Sequence, residues 1–318
     1  MPIPSLDTIH AARARIAGRL HFTPSLSSRT LANRSGVASL SLKCESLQKT
    51  GSFEVRGALN AVSQLDDATR GVVTVSAGNH AQALAWAAAS LGVRCTVVMP
   101  AAASESKAAA SAEYGATVIR HGTGAEAFVR ARELAATEGY ALVHPFDDIT
   151  VIAGAATIGL EILEQVPDVE VVVVPIGGGG LLAGVAAAIR QARPAVVLIG
   201  VEPEGAAAMR RSLDAGHPMR LDTLDTIADG LAAPFAGDLT YPIIRDLVDD
   251  VVLVTDAEIA TAMSLILSRA KLLAEAAGAA ATAALLAGKV PQAAGKRAVA
   301  VLSGGNIDLE RLKALLSS

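Results

Sequence analysis

Sulphur is scarce in this chain. Its 318 residues hold two cysteines, Cys44 and Cys95. Two cannot make a disulfide framework, so both read as reduced thiols inside a core. An excess of positive charge is also missing. The 27 Lys and Arg against 31 Asp and Glu give a net charge of −4 and leave no basic face for nucleic acid. The opening MPIPSLDTIHAARARIAGRL carries charge throughout and lacks an apolar h-region, so it is not read as a signal peptide. Alanine-rich runs such as AQALAWAAASLG are too short and too interrupted to span a membrane. The expectation is a cytoplasmic protein that engages neither nucleic acid nor membrane.

What is present is apolar bulk. Hydrophobic residues make up 52% and charged residues 18%, enough for a large core and against disorder. The length suits two α/β domains. Residues 7–19 read as an amphipathic helix, and HFTPSLSS breaks it. Short apolar runs at Ser39–Leu42, Val72–Ser76, Cys95–Met99, Thr117–Arg120 and Ala141–His144 then alternate with helical stretches. The pattern restarts after HPFDD with a helix over 150–166 and strands at Val169–Val174, Val196–Val201, Val251–Val254 and Ala298–Leu302. Residues 215–240 are rich in Pro, Gly and Asp and read as a surface loop. Residues 256–288 read as helix with a break near Gly278. Strands that are apolar on both faces and alternate with helices predict α/β architecture with two open parallel sheets.

Four Gly- and Ser-rich loops follow strand ends: TGSFEVRG, SAGNH, IGGGG and SGGNID. Ligands of open α/β sheets bind at the carboxyl ends of strands, so the four loops predict one composite site. Gly177, Gly178, Gly179 and Gly180 free the backbone N–H groups to converge on a phosphate at the start of a helix. No Gly-Lys-Ser/Thr follows, which excludes a P-loop, and the third glycine of a dinucleotide fingerprint is missing. Asn79 offers an amide to a ligand oxygen. His80 is either an acid–base group or a ring that caps and packs a helix start. Ser303 reads as a hydroxyl toward a neutral acceptor or as part of a simple turn. Glu275 is an acid in an otherwise apolar helix, equally consistent with a solvated face. Ser52 reads as the N-cap of the helix that holds Glu54 and Arg56 in its first turn.

LKCESLQKTGSF, VRGALN, SAGNHAQALA, HPFDD, IGLEI, PIGGGGLLAG, GVEPEGA, TIADGLA, VDDVVLVTDAEI and VLSGGNID resemble, in order, the serine/threonine dehydratases. That family includes serine racemase and has the tryptophan-synthase-β-like fold, type II among enzymes of pyridoxal 5′-phosphate (PLP). The resemblance runs from about residue 20 to 308. It implies a small domain over 49–145 and a large PLP-binding domain from 1–48 and 146–318, with PLP in the cleft between them. It places Gly177 to Gly180 and Leu181 at the cofactor phosphate, Asn79 at the ring hydroxyl, Phe53 near the ring, Ser303 at the pyridine nitrogen and Glu275 close to the cofactor. Ser76, Gly78 and His80 would receive the substrate carboxylate. The implied reaction is β-elimination of threonine or a serine-like hydroxy-amino acid to a 2-oxo acid and ammonia. Family habit and apolar composition imply a homo-oligomer, a dimer or tetramer.

This sequence departs from the family at four places. Where racemases carry a second serine it has Ala77, which favours a dehydratase. The racemase-type metal site would take Glu202, the backbone carbonyl of Ala206 and an aspartate where this chain has Ala208; that last side chain has no ligand atom, so no metal site is expected. The family's GQGT reads GAAT over Gly154–Thr157. Most consequentially, Glu54 stands where the family has the lysine that forms a Schiff base with PLP. A carboxylate cannot form an imine, so PLP would bind noncovalently and catalysis would be impaired. Lys43 and Lys49 lie nearby in sequence, and neither is expected to point at the same atom. The competing expectation is a non-catalytic protein on the same scaffold that binds PLP or an amino acid.

Overall fold

The computed structural model describes residues 3–317. The first part of the chain forms α1 (Leu6–Ile16), β1 (Ser25–Ser27), α2 (Arg29–Ser35), β2 (Ser39–Cys44) and α3 (Glu54–Val62). Next come β3 (Gly71–Val75), α4 (Asn79–Ser90), β4 (Cys95–Met99), α5 (Glu105–Glu113), β5 (Thr117–Arg120), α6 (Gly124–Glu138) and β6 (Tyr140–Leu142). Then follow α7 (Ile149–Gln165), β7 (Val171–Pro175), α8 (Gly180–Ala192), β8 (Val197–Pro203), α9 (Ala208–Ala215), α10 (Thr240–Leu247) and β9 (Asp250–Val254). The last elements are α11 (Asp256–Leu265), α12 (Ala276–Leu286), β10 (Arg297–Leu302) and α13 (Leu309–Ser317).

The strands form two sheets. One has the order β1-β2-β10-β7-β8-β9 and the other β5-β4-β3-β6. Their pairings are parallel except for β1, which lies antiparallel against β2. Period-two burial explains why each sheet is covered on both faces. Along β7, Val171 and Val173 join one core cluster while Val172 and Val174 join another. The first cluster holds Ala276–Ala284 of α12, and the second holds Leu182, Val185 and Ile189 of α8. In the smaller sheet Val72 and Val97 face α3 and α4, whereas Val73 and Val98 face Ala127 and Ala131 of α6. Helices on both faces of near-continuous apolar strands are the doubly covered arrangement that parallel sheets require.

Several local expectations need correction. The SLS of HFTPSLSS is a short edge strand, not only a helix breaker; it pairs through Leu26 opposite Leu42. The long helical stretch breaks at 271–275, where Lys271 takes the left-handed conformation (φ 62°), after a π turn over Ile266–Ala270. Gly278 lies inside α12 instead. A Cβ there would sit 2.2 Å from the Gly304 carbonyl, so this glycine lets the helix touch the loop after β10. Glu275 is therefore the residue before α12 rather than a residue within it. Ser52 does not cap α3; Phe53 holds the cap position without a side-chain bond, and Ser52 bridges to Gly304 through its backbone. Residues 215–240 do not simply run over the surface, since Ala228 and Leu231 are buried.

Candidate active site

Parallel register sends the loops after β2, β10 and β7 off the same sheet edge, with Leu302 level with Cys44 and Ala300 level with both Leu42 and Val173. The loop after β3 meets them from the smaller sheet. Backbone and amide bonds tie these loops together. Phe53 N donates to Ser303 O at 3.0 Å and Gly305 N to Gly51 O at 2.9 Å. Asn306 Nδ2 donates to Thr50 O at 2.8 Å and to Asn79 Oδ1 at 2.9 Å. Asn79 in turn donates to Glu275 Oε1 at 2.7 Å.

The result is a cavity of about 310 Å³. It gathers every site residue expected from the sequence: Phe53, Glu54, Ser76, Gly78, Asn79, His80, Gly177 to Gly180, Leu181, Glu275 and Ser303. Ala77 and Ala155 also line it. Sequence reasoning missed Lys107, Phe146 and Asp229, which complete the wall. Phe146 and Asp229 belong to HPFDD and TIADGLA, runs noticed only for their resemblance. Lys107 lies on α5, whose sequence gives no sign that its first turn reaches the larger sheet. Lys107 Nζ meets Asp229 Oδ2 at 3.2 Å, and Arg311 of α13 holds the same carboxylate at 2.8 Å.

Gly178 and Gly179 have a geometry only glycine allows. Gly179 sits at φ +99°, and a Cβ on Gly178 would lie 2.2 Å from the Phe146 ring. The loop is thus pressed flat against Phe146 and opens into α8, which has no side-chain cap. Its first N–H groups are free for an anion, and the helix adds its positive end.

The titratable groups are unusual. Glu54 is half-buried, and its Oε2 has neither solvent contact nor a hydrogen-bond partner. Burial pushes its carboxyl up to about 7. Burial, and next the Glu54 carboxyl, push Glu275 up to about 8. His80 is buried with neither ring nitrogen partnered, and burial pushes it down to about 3, so the ring is neutral. Ser76 Oγ accepts from Gly78 N at 3.1 Å, which fixes the turn before α4.

Arg56, two residues beyond Glu54, faces the opposite way. Its guanidinium holds Glu45 at 2.7 Å and Glu161 at 2.6 Å, both buried. Lys43 donates to Glu161 at 2.5 Å and to Thr23 O at 2.6 Å. Burial alone would raise Glu45, but Arg56 outweighs it and its carboxyl lies below the usual range. This four-charge cluster pins α3, and with it the Glu54 backbone, between β2 and α7. Thr157 of GAAT joins through a 3.2 Å bond from Arg56, and Gly154 lets α7 pass close to α3. Lys43 is thereby held away from the cavity, and Lys49 is exposed.

At the other end of the large sheet, Glu202 is fully buried and accepts Met209 N at 2.8 Å and Arg210 N at 2.7 Å. Its oxygens serve the first turn of α9, which Ala208 begins. Burial still pushes this carboxyl up to about 7.

The residues present fit a phosphorylated pyridine held without a covalent bond. Phe146 and Thr240 leave no room for a side chain on Gly178 or Gly179, so the loop presents bare backbone, and Asn79 and Ser303 add polar groups to the same cavity. They do not fit a covalent imine, because position 54 offers a carboxylate.

The family described as pyridoxal-phosphate dependent enzymes matches residues 16–304. The catabolic L-threonine dehydratase of Escherichia coli K12 is 44% identical over 312 residues, which is 97% of this chain and 94% of that protein. The L-threonine ammonia-lyase of Geobacter sulfurreducens is 46% identical over 311 residues, covering 97% and 77%. Among solved structures, maize serine racemase superposes with a TM-score of 0.94 at 38% identity, covering 99% of this chain and 98% of that one. The serine racemase of Dictyostelium discoideum gives 0.90 at 40% identity, covering 97% and 100%.

Proposed function

The chain belongs to the family of pyridoxal-phosphate dependent enzymes, and on that premise we propose that its cavity is a threonine/serine dehydratase site whose covalent anchor is missing. The observation that supports this reading is the carboxyl of Glu54 in one cavity with Phe53, Ser76, Asn79, Ser303 and the glycine loop. PLP, when bound, supplies an electron sink that lets a hydroxy-amino acid lose its β-hydroxyl, so that threonine yields 2-oxobutanoate and ammonia.

The chain's own groups have separable tasks. The N–H groups of Gly177 to Gly180, with Leu181 beside them, hold the phosphate at the start of α8. Ser303 gives the pyridine nitrogen a hydroxyl, which cannot protonate it fully and so keeps the sink moderate. Asn79 meets the ring hydroxyl while its bonds with Glu275 and Asn306 fix its orientation. Ser76 and the turn at Gly78 and His80 receive the substrate carboxylate, and the neutral His80 adds no charge there. Phe53 packs beside the ring. Ala77 offers no acid or base on the face opposite position 54, which favours elimination over racemisation. The site lies in a cleft between a small domain over 49–145 and a large one formed by the rest, in a homo-oligomer.

Glu54 removes both the amine that would bind the cofactor and the base that would take the Cα proton. The parent chain is therefore expected to make little 2-oxobutanoate from L-threonine in the presence of PLP. Glu54→Lys is expected to raise the rate at least about a thousandfold, the loss typical when a covalent catalytic group is absent. A folded Glu54→Lys protein that stays inactive on both threonine and serine would sink the proposal. A second reading rests on the same residue: the parent chain binds ligand without turnover, which equilibrium binding measured beside the rate would report.

A further inference from the structure

The cavity carries an imbalance of charge that points to its ligand. Three acidic side chains line it, Glu54, Asp229 and Glu275. Lys107 is the one lysine or arginine among the described residues that line it, and it stands at the rim, joined to Asp229. Arg311 reaches the same Asp229 from outside. His80 is 4% exposed, both of its ring nitrogens lack partners, and it brings no positive charge. Glu54 Oε2 also lacks a partner, whereas the nearby buried Glu45 is met by Arg56. A phosphate in the glycine cradle adds further negative charge. An uncompensated buried carboxylate is costly, and an ammonium with hydrogen bonds to spare answers it.

We propose that Glu54, with Glu275 near it, makes this cavity a receptor for a phosphorylated pyridine that carries its own primary ammonium group, namely pyridoxamine 5′-phosphate, in preference to the aldehyde. This rests on the reading of Gly177 to Gly180 as the phosphate cradle and of position 54 as the residue nearest the cofactor's reactive carbon. There the lysine of the family would contribute a nitrogen from the protein. Here the ligand contributes it, and the ion pair with Glu54 replaces the covalent bond. Asn79, already bonded to Glu275 Oε1, holds the second carboxyl in place. The aldehyde form has no N–H at that carbon to donate to Glu54 and leaves Glu54 Oε2 without a partner.

The test is calorimetric titration of the purified full-length chain with three ligands of one shape: pyridoxamine, pyridoxine and pyridoxal 5′-phosphates. The amine is expected to bind at least about tenfold more tightly than the alcohol or the aldehyde, the scale of one charge-assisted hydrogen bond. Glu54→Gln is expected to abolish that preference while keeping affinity for the alcohol. Should that variant misfold, the parent answers alone: the preference shrinks when Glu54 is protonated, at about pH 5.5, relative to about pH 8. Equal binding of all three ligands overturns this inference and leaves the cradle standing. A preference for the aldehyde, or one that survives Glu54→Gln, also overturns it. Binding of none of the three overturns the cradle and this inference together.

Discussion

Residues 54 and 56 lie within one turn of α3 and show two opposite fates for buried charge. Arg56 sits in a closed set of two cations and two carboxylates, Lys43, Arg56, Glu45 and Glu161, in which each group has at least one partner inside the protein. Glu54 sits near a second carboxyl, that of Glu275, with one oxygen unpartnered. Both sets are largely sheltered from water. They differ in how many partners the fold provides. A set the fold satisfies is structural and complete without ligand. A set it leaves unsatisfied stores a demand that a ligand can meet, which is how a binding site differs from a core that merely contains charge.

Breaking the satisfied set should have the largest effect. Arg56→Met leaves Glu45 and Glu161 buried against Lys43 and Thr23 alone, and is expected to cost about 3–5 kcal/mol of unfolding free energy. The readout is the denaturant midpoint; a loss below about 1 kcal/mol would mean that the cluster is not the brace it resembles.

Relieving the unsatisfied set should act in the other direction and only at high pH. Glu54 and Glu275 lie at about 7 and about 8, above their ordinary value of 4.5, so the folded state favours their protonated forms. Their contribution to stability is full below that ordinary value and is lost as pH rises through the two folded values. Glu202, at about 7, adds to the same slope as a constant background. Glu54→Gln should therefore melt with the parent at about pH 4 and a few degrees above it at about pH 9. A gap that is the same at both pH values would show that Glu54 is not titrating in this window.

The smallest effect is expected where water already does the work. Arg13 and Glu164 form a bidentate pair at the surface, with both side chains well exposed. Arg13→Ala should change stability by less than about 1 kcal/mol. A larger loss would blur the contrast, because it would make partner geometry matter without burial.

Much of this arrangement is legible in the sequence. Unbroken valine and isoleucine runs mark buried parallel strands, and each glycine-rich loop follows a strand that ends at the cavity. Local pattern fails where a long-range contact decides. Gly278 resembles a helix breaker, yet it is the point at which α12 touches Gly304, and the break falls on Lys271. Ser52 resembles an N-cap, yet the bridge to Gly304 takes its backbone elsewhere. Asp229 lies in a stretch whose Pro and Gly content suggests surface, and only its meeting with Lys107 and Arg311 brings it to the site. The identity of position 54 is plain in the sequence; that Arg56 turns away from it into a neutral cluster is not.

The strand order also sets a sequence of events. The smaller sheet uses residues 71–142 alone, so all its strands are available early in synthesis. The larger sheet waits for β10, which comes last in chain order among the described strands and yet lies between β2 and β7. Until it arrives, β2 has only the three-residue β1 beside it, and Thr50 has no Asn306 to receive. The binding cavity thus needs a pairing between residues more than 200 positions apart, β2 with β10, which low-contact-order parts of the fold do not wait for. Until that pairing closes, β2 and β7 keep open edges facing each other, the places where a misplaced strand would add.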